Sequence, residues 1–420
     1  MAELIVADRT ISDNANWNFG VNLLDITFFT LGLSLVSRDT VMPVLVSHLT
    51  DSKFAIGLIP AIFSLCFYLP QLLIANFSER LRYKKPFTML MGGVGERGGY
   101  LLIALSIWLF AKHSPTVALV LIFVSLAISA TSSGMATPAW FDMIAKVIPV
   151  NRRGLWSGVS HSLGALMGVV GALFVGRILE NSPYPNNFAL LFFLTFGLLL
   201  ISFVGLALNR EPPSEAVKAH MSLAQYFRQL PEILRRDHNY LRFLVSRTTV
   251  QLGAMATGFF MVYGTERFHI DGQGVGLLTA VLVGSAAVMN LVWGFIGDRL
   301  GHKLVLVCAA FAMALAALTA WLAVSQTWLI VTFVLMGVYA AGDGVSAFNI
   351  ILEFCAPADR PTYIGLTNTL LAPILTVAPL IGGWLAITVG YNGLFLTALV
   401  IASLGGLLML IWVREPRLDP

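Results

Sequence analysis

Residues 275–324 read VGLLTAVLVGSAAVMNLVWGFIGDRLGHKLVLVCAAFAMALAALTAWLAV, two long apolar runs joined by one short charged turn. Each run, 275–296 and 304–324, holds the roughly 20 residues an α-helix needs to cross about 30 Å of hydrocarbon. The turn gathers Asp298, Arg299, His302 and Lys303. A hairpin of two membrane spans is the reading this pattern dictates.

Working outward, the same pattern recurs along the chain. Runs at 19–47, 55–76, 86–110, 117–145, 155–178 and 188–209 precede the hairpin's half, and 241–264, 275–296, 304–324, 328–355, 363–387 and 392–413 complete it. The sequence therefore predicts an all-α membrane protein of twelve transmembrane helices in two six-helix bundles, 19–209 and 241–413. A short segment 1–18, a linker 210–240 and a tail 414–420 flank and join them. Composition agrees: 57% of the 420 residues are hydrophobic and 11% charged, with a mean hydropathy of +0.81.

The formal charge of +4 is spread in small loop clusters and forms no nucleic-acid footprint. Those clusters report topology instead, because short loops rich in Lys and Arg stay inside. Arg9, the Arg80 to Lys85 cluster, Lys146 with Arg152 and Arg153, the central linker, Arg299 with Lys303, Arg360 and Arg414 all fall on one side. Lys53, Lys112, Arg177 and Arg267 fall on the other. Both termini are thus expected in the cytoplasm of a multi-pass inner (plasma) membrane protein. In the linker, Met221, Leu223, Phe227, Leu230 and Leu234 follow helical spacing, which predicts an amphipathic helix on the inner surface. Cys66, Cys308 and Cys355 have no paired spacing, so neither a disulfide framework nor a zinc site is expected. The first eighteen residues lack the apolar core of a removable signal.

An internal repeat is visible. Sliding 42–84 onto 261–303 without a gap pairs Met42 with Met261, Gly57 with Gly276, Glu79 with Asp298, Arg80 with Arg299 and Lys84 with Lys303. A looser match sets Gly134 and Pro149 to Arg152 against Gly342 and Pro357 to Arg360. With Gly294-Phe-Ile-Gly-Asp298-Arg299-Leu-Gly301-His-Lys303, the chain resembles the major facilitator superfamily, whose G-x-x-x-D-R-x-G-x-K loop joins the second and third helices of a half. The first-half copy departs from it: Glu79 stands for the acid, and Ala75 and Arg82 for the glycines. The resemblance implies two halves rocking about a midplane site, with the first, fourth, seventh and tenth helices lining it. It also implies that Asp298 latches near Gly154, and Glu79 near Thr362, at a closed inner gate that includes Arg299, Gly301, Lys303 and Arg80. Tight turns in a positive loop are the plainer alternative.

Ionisable groups inside spans are costly, by about 2.5–3.5 kcal/mol on insertion scales, and so are candidates for function. Asp343, mid-span between Gly342 and Gly344, is the leading one: a carboxylate there can bind a proton, a cation or a polar substrate group, or serve as a structural tie. Asp25 and Asp39 lie fourteen residues apart in the first span, within about 40° of one helical face. Arg247 and Gln251 share a face of the seventh, where an anionic substrate group or Asp25 is a natural partner for the guanidinium. Asp142 and Glu353, near the inner ends of the fourth and tenth spans, read as gate salt-bridge residues. Glu96 and Arg97 in the third read as a structural pair, and the GxGxxG around them as a close-packing Gly95-x-x-x-Gly99. His161 could shuttle protons or only hydrogen-bond a neighbour.

No HExxH, GxSxG or Walker-type loop supports an enzyme or an ATP-driven pump, and no cofactor or metal is expected. The expectation is a secondary transporter, a monomer among membrane lipids, binding a small-molecule substrate and a proton. Export of an amphiphilic or drug-like compound stands first, uptake of a polar nutrient second. A non-transporting receptor or assembly factor on the same fold is the reading from another class.

Overall fold

The computed structural model describes the chain except Met1, Arg80 and residues 214–233, 355–359 and 417–420. Side chains are described except also at 2–13, 72, 73, 75, 76, 78, 79, 150–155, 157, 158, 161, 162, 165, 348, 352, 360–362 and 365. The predicted linker helix therefore lies almost wholly outside the described residues, as do Arg80 and the side chains of Glu79 and His161.

Every regular element among the described residues is helical. In chain order they are α1 (Ala2–Leu35), α2 (Val41–Leu49), α3 (Lys53–Glu79), α4 (Lys85–Thr88), α5 (Arg97–Phe110), α6 (Pro115–Val147), α7 (Val150–Asn181) and α8 (Asn186–Ala207). There follow α9 (His238–Gly253), α10 (Phe259–Phe268), α11 (Gly272–Leu300), α12 (His302–Trp321), α13 (Gln326–Glu353), α14 (Arg360–Thr388) and α15 (Gly390–Trp412). A π-helical stretch, Met89–Glu96, joins α4 to α5, and a 3₁₀ turn, Ala254–Ala256, follows α9.

Nine helices among the described residues have the length and apolarity to cross a membrane. The predicted third and seventh spans are not among them, and the fifth falls on α7 (Val150–Asn181), where many side chains lie outside the described residues. The third and seventh are interrupted for visible reasons. The third carries the π-helical stretch and the charged Glu96 and Arg97; the seventh breaks at Gly253, just after Arg247 and Gln251. The glycines of the third span act as the sequence predicts: a side chain at Gly99 would meet Ser129 Cβ at 2.5 Å and the Ser125 carbonyl at 2.9 Å, so α5 and α6 touch backbone to backbone.

The chain divides into two compact units, 1–36 with 66–221 and 37–65 with 222–420. In the first, α1 packs along α7 and α8, and α5 along α6 and α8. In the second, α12 packs along α13 and α15, and its alanines at 310, 316, 317 and 320 are fully buried. Residues 37–65 group there through close backbone approaches: a side chain at Gly383 would stand 2.9 Å from the Cα of Phe54.

Candidate functional site

The second unit assembles a polar rung from two i,i+4 pairs that face each other. Arg247 and Gln251 project from α9, Tyr339 and Asp343 from α13. The Arg247 guanidinium pairs with the Asp343 carboxylate, and the Tyr339 hydroxyl donates to Gln251 Oε1 at 2.9 Å. Small residues place α13: Gly342 leaves room for Ala309 and the Trp293 indole, whose N–H donates to the Val338 carbonyl at 3.0 Å. Arg247 is 5% exposed and Asp343 27%, so the pair is sealed at the base and reachable from the acid. Opposite charges at contact offset part of the cost of holding each in an apolar span. The seventh span unwinds two residues beyond Gln251. Discontinuous helices of this kind place backbone polar groups beside sites in transporters.

The first unit holds a second buried charge cluster with a different character. Arg97 donates to Asp25 Oδ1 at 3.0 Å, to Ser202 Oγ at 2.6 Å and to the carbonyls of Leu199 and Gly92 at 3.0 and 2.5 Å. Ser202 in turn donates to Asp25 Oδ1 at 2.5 Å. Glu96 Oε2 lies 4.0 Å from Arg97 Nη1. The π-helical stretch supplies the geometry, because Gly92 in it keeps a carbonyl turned toward Arg97. This corrects two sequence readings. Asp25 pairs with Arg97 and faces the third and sixth spans, so it is not Arg247's partner; the main acid of Arg97 is Asp25, with Glu96 secondary.

Asp39 also departs from its expectation. The face shared with Asp25 required one continuous helix, yet α1 ends at Leu35 and Asp39 sits exposed in the turn before α2. Its neighbour Arg38 lies over the Phe63 ring at 3.5 Å.

Of the gating candidates, Asp298 is exposed near the end of α11, and Arg299 covers the Phe295 ring at 4.1 Å. Gly301 adopts φ +96°, and Lys303 donates to the Leu410 carbonyl at 2.9 Å. Asp142 pairs with Lys84 at 3.3 Å, and Glu353 with His302 at 3.9 Å, each within its own unit. Gly154 and Thr362 are among the residues whose side chains are not described.

Several polar residues escaped the sequence reading. Asn18 and Asn22, one helical turn apart on α1, bond to Arg210 and Asn209 beyond α8, with Asn22 Nδ2 donating to Asn209 Oδ1 at 2.5 Å. His302 is buried and meets Ser346 Oγ at 3.1 Å. The i,i+4 rhythm of Asn14, Asn18 and Asn22 was the available signal. Among the described residues no group of three His, Cys, Asp or Glu side chains gathers to hold a metal ion.

The comparisons agree with this architecture. An uncharacterised MFS-type transporter of Methanocaldococcus jannaschii is 22% identical over 409 residues, covering 96% of each chain. The multi-drug resistance efflux pump PmrA of Streptococcus pneumoniae is 26% identical over 160 residues, 37% of this chain and 40% of its own. A POT family transporter solved with 5-aminolevulinic acid superposes with a TM-score of 0.72 at 15% identity, over 94% of this chain and 96% of that one. The sequence profile of the Major Facilitator Superfamily matches residues 27–265 and 243–420, so the chain belongs to that superfamily of membrane transporters and is no enzyme.

Proposed function

We propose that this protein is a proton-coupled exporter of a small amphiphilic or drug-like compound, working by alternating access as a monomer in the inner (plasma) membrane with both termini cytoplasmic. The observation that carries the reading is the Arg247–Asp343 pair between the seventh and tenth spans, with the acid partly exposed. Adding a proton to Asp343 removes one charge of the pair and frees Arg247, so binding a proton and rearranging the site become one event. The local likeness to an efflux pump and the scarcity of charges on these spans support export. Asp298, Arg299, Gly301, Lys303, Glu79 and Arg80 are assigned to the gate.

A second reading, uptake of an acidic nutrient, draws on the same guanidinium, which could receive a substrate carboxylate once Asp343 is neutral. Purified protein screened by thermal shift yields a ligand, and proteoliposomes loaded with it test both. Asp343→Asn keeps the shape without a titratable group, and is expected to insert and fold, to lose flux driven by a pH gradient, and to retain exchange between equal pools. Gradient-driven flux at the wild-type level would remove Asp343 from coupling. The sign of flux under an inward proton gradient separates export from uptake.

A further inference from the structure

The last span of each half is followed by the same tripeptide, Arg210-Glu211-Pro212 and Arg414-Glu415-Pro416. The structure gives the two copies parallel surroundings. In the first unit the Arg210 backbone N–H donates to Asn18 Oδ1 at 2.9 Å, and Asn18 Nδ2 donates to the Arg210 carbonyl at 3.1 Å. In the second, the Arg414 N–H donates to Asn239 Oδ1 at 2.8 Å, and Asn239 Nδ2 to the Arg414 carbonyl at 3.2 Å. One asparagine from the start of each half's opening span thus reads both backbone groups of the arginine, as a neighbouring strand would.

The glutamates repeat as well. Glu211, 2% exposed, accepts the backbone N–H groups of Lys84 and Lys85 at 2.8 Å each, and the Lys146 ammonium at 2.9 Å. It caps the start of α4, where unpaired N–H groups and the positive helix end favour an anion. The Glu415 carboxylate lies against Gly301, at the start of α12: a side chain there would stand 2.5 Å from its carboxyl carbon. A lysine completes each copy, Lys85 Nζ donating to the Asn209 carbonyl and Lys303 Nζ to the Leu410 carbonyl, both at 2.9 Å.

We infer that Arg-Glu-Pro is a duplicated clasp. In each half it ties the first, third and last spans into one rim, so that this rim moves as a single piece during transport. The seat of the carboxylate differs between copies. The second half uses a glycine to admit the carboxylate; the first, with Arg82 at that place, presents the two N–H groups that follow. The departure of the first-half loop from the family pattern then reflects a shifted seat for the same glutamate.

Hydrogen exchange on the full-length protein in lipid nanodiscs tests this without a substrate. In Glu211→Gln, which keeps one acceptor but loses the charge, peptides over residues 81–88 are expected to exchange about tenfold or more faster, the scale of losing hydrogen bonds to a charged group. Peptides within residues 100–110 should be unchanged. In Asn239→Ala, a milder variant available should Glu211→Gln fail to fold, the rise should fall on residues 298–306 and 413–416. Unchanged exchange in these peptides overturns the clasp. An equal rise along the whole half does so too, because that is loss of the fold and not of a rim.

Discussion

Replacing Asp25 with asparagine separates a structural charge from a transport charge. Asp25 is buried and accepts from Arg97 and Ser202, while Arg97 directs its other donors to the Leu199 and Gly92 carbonyls. Asparagine keeps an oxygen for Ser202 but leaves the buried guanidinium with Glu96, 4.0 Å off, as its nearest acid. Breaking one side of a buried pair costs about 3–5 kcal/mol; the surviving carbonyl bonds and Glu96 place the expectation near the lower limit, about 3 kcal/mol. Removing both charges in Asp25→Leu with Arg97→Leu should cost less than the two single changes added together, because no unpaired ion remains. Reversible unfolding in mixed detergent micelles gives the four corners of this double-mutant cycle. Transport normalised to folded protein is expected to keep its dependence on a pH gradient in Asp25→Asn. Wild-type stability combined with lost gradient-driven flux would refute the reasoning and make Asp25 the coupling acid.

Gly301→Ala is expected to destabilise by more than about 1 kcal/mol, since φ +96° disfavours any side chain and the Glu415 carboxylate occupies its place; the same unfolding assay reads it. Tyr339→Phe deletes the hydroxyl that holds Gln251 and should raise KM for the screened ligand several-fold with little change in maximal flux. Equal KM values would place the Tyr339 and Gln251 rung outside the ligand's reach. Reporter fusions should place Ala219 in the cytoplasm and Gly272 outside; both on one side would overturn the orientation and the count of twelve spans.

The fold was legible because hydrophobic length is a one-dimensional property. A run such as 304–324 announces its span whatever it packs against, and α12 occupies His302–Trp321. Partners are a three-dimensional property and were legible only where helical spacing limited the choice. Arg247 with Gln251 could be put on one face, and Asp343 at mid-span, but nothing in the order of residues joins α9 to α13. The face shared by Asp25 and Asp39 failed for a related reason: the helix ends at Leu35, and the Ser-Arg-Asp-Thr turn at 37–40 resets the rotation. Arg97 was assigned to its sequence neighbour Glu96. Side chains of adjacent residues point about 100° apart on a helix, so the distant Asp25 faces Arg97 more directly. The asparagines of α1 went unread because a polar stripe near a helix start looks like an ordinary solvated end until the residues beyond α8 fold onto it.

Among the described residues each unit holds one buried arginine paired with an acid from another span, and the two pairs are built differently. The first-unit carboxylate is 7% exposed and held by two donors from two other helices, a surrounding that favours one fixed arrangement. The second-unit carboxylate is 27% exposed, sits among glycines, and faces a span that unwinds two residues beyond its rung. A group that must gain and lose a proton in every cycle needs access and a backbone able to shift; a group that anchors helices needs neither. The pseudo-symmetry of the halves therefore extends to the clasp at their rims but not to their buried charges. Under the proposed function that difference divides the labour: the ion pair of the first unit serves rigidity, and that of the second stays open to proton exchange.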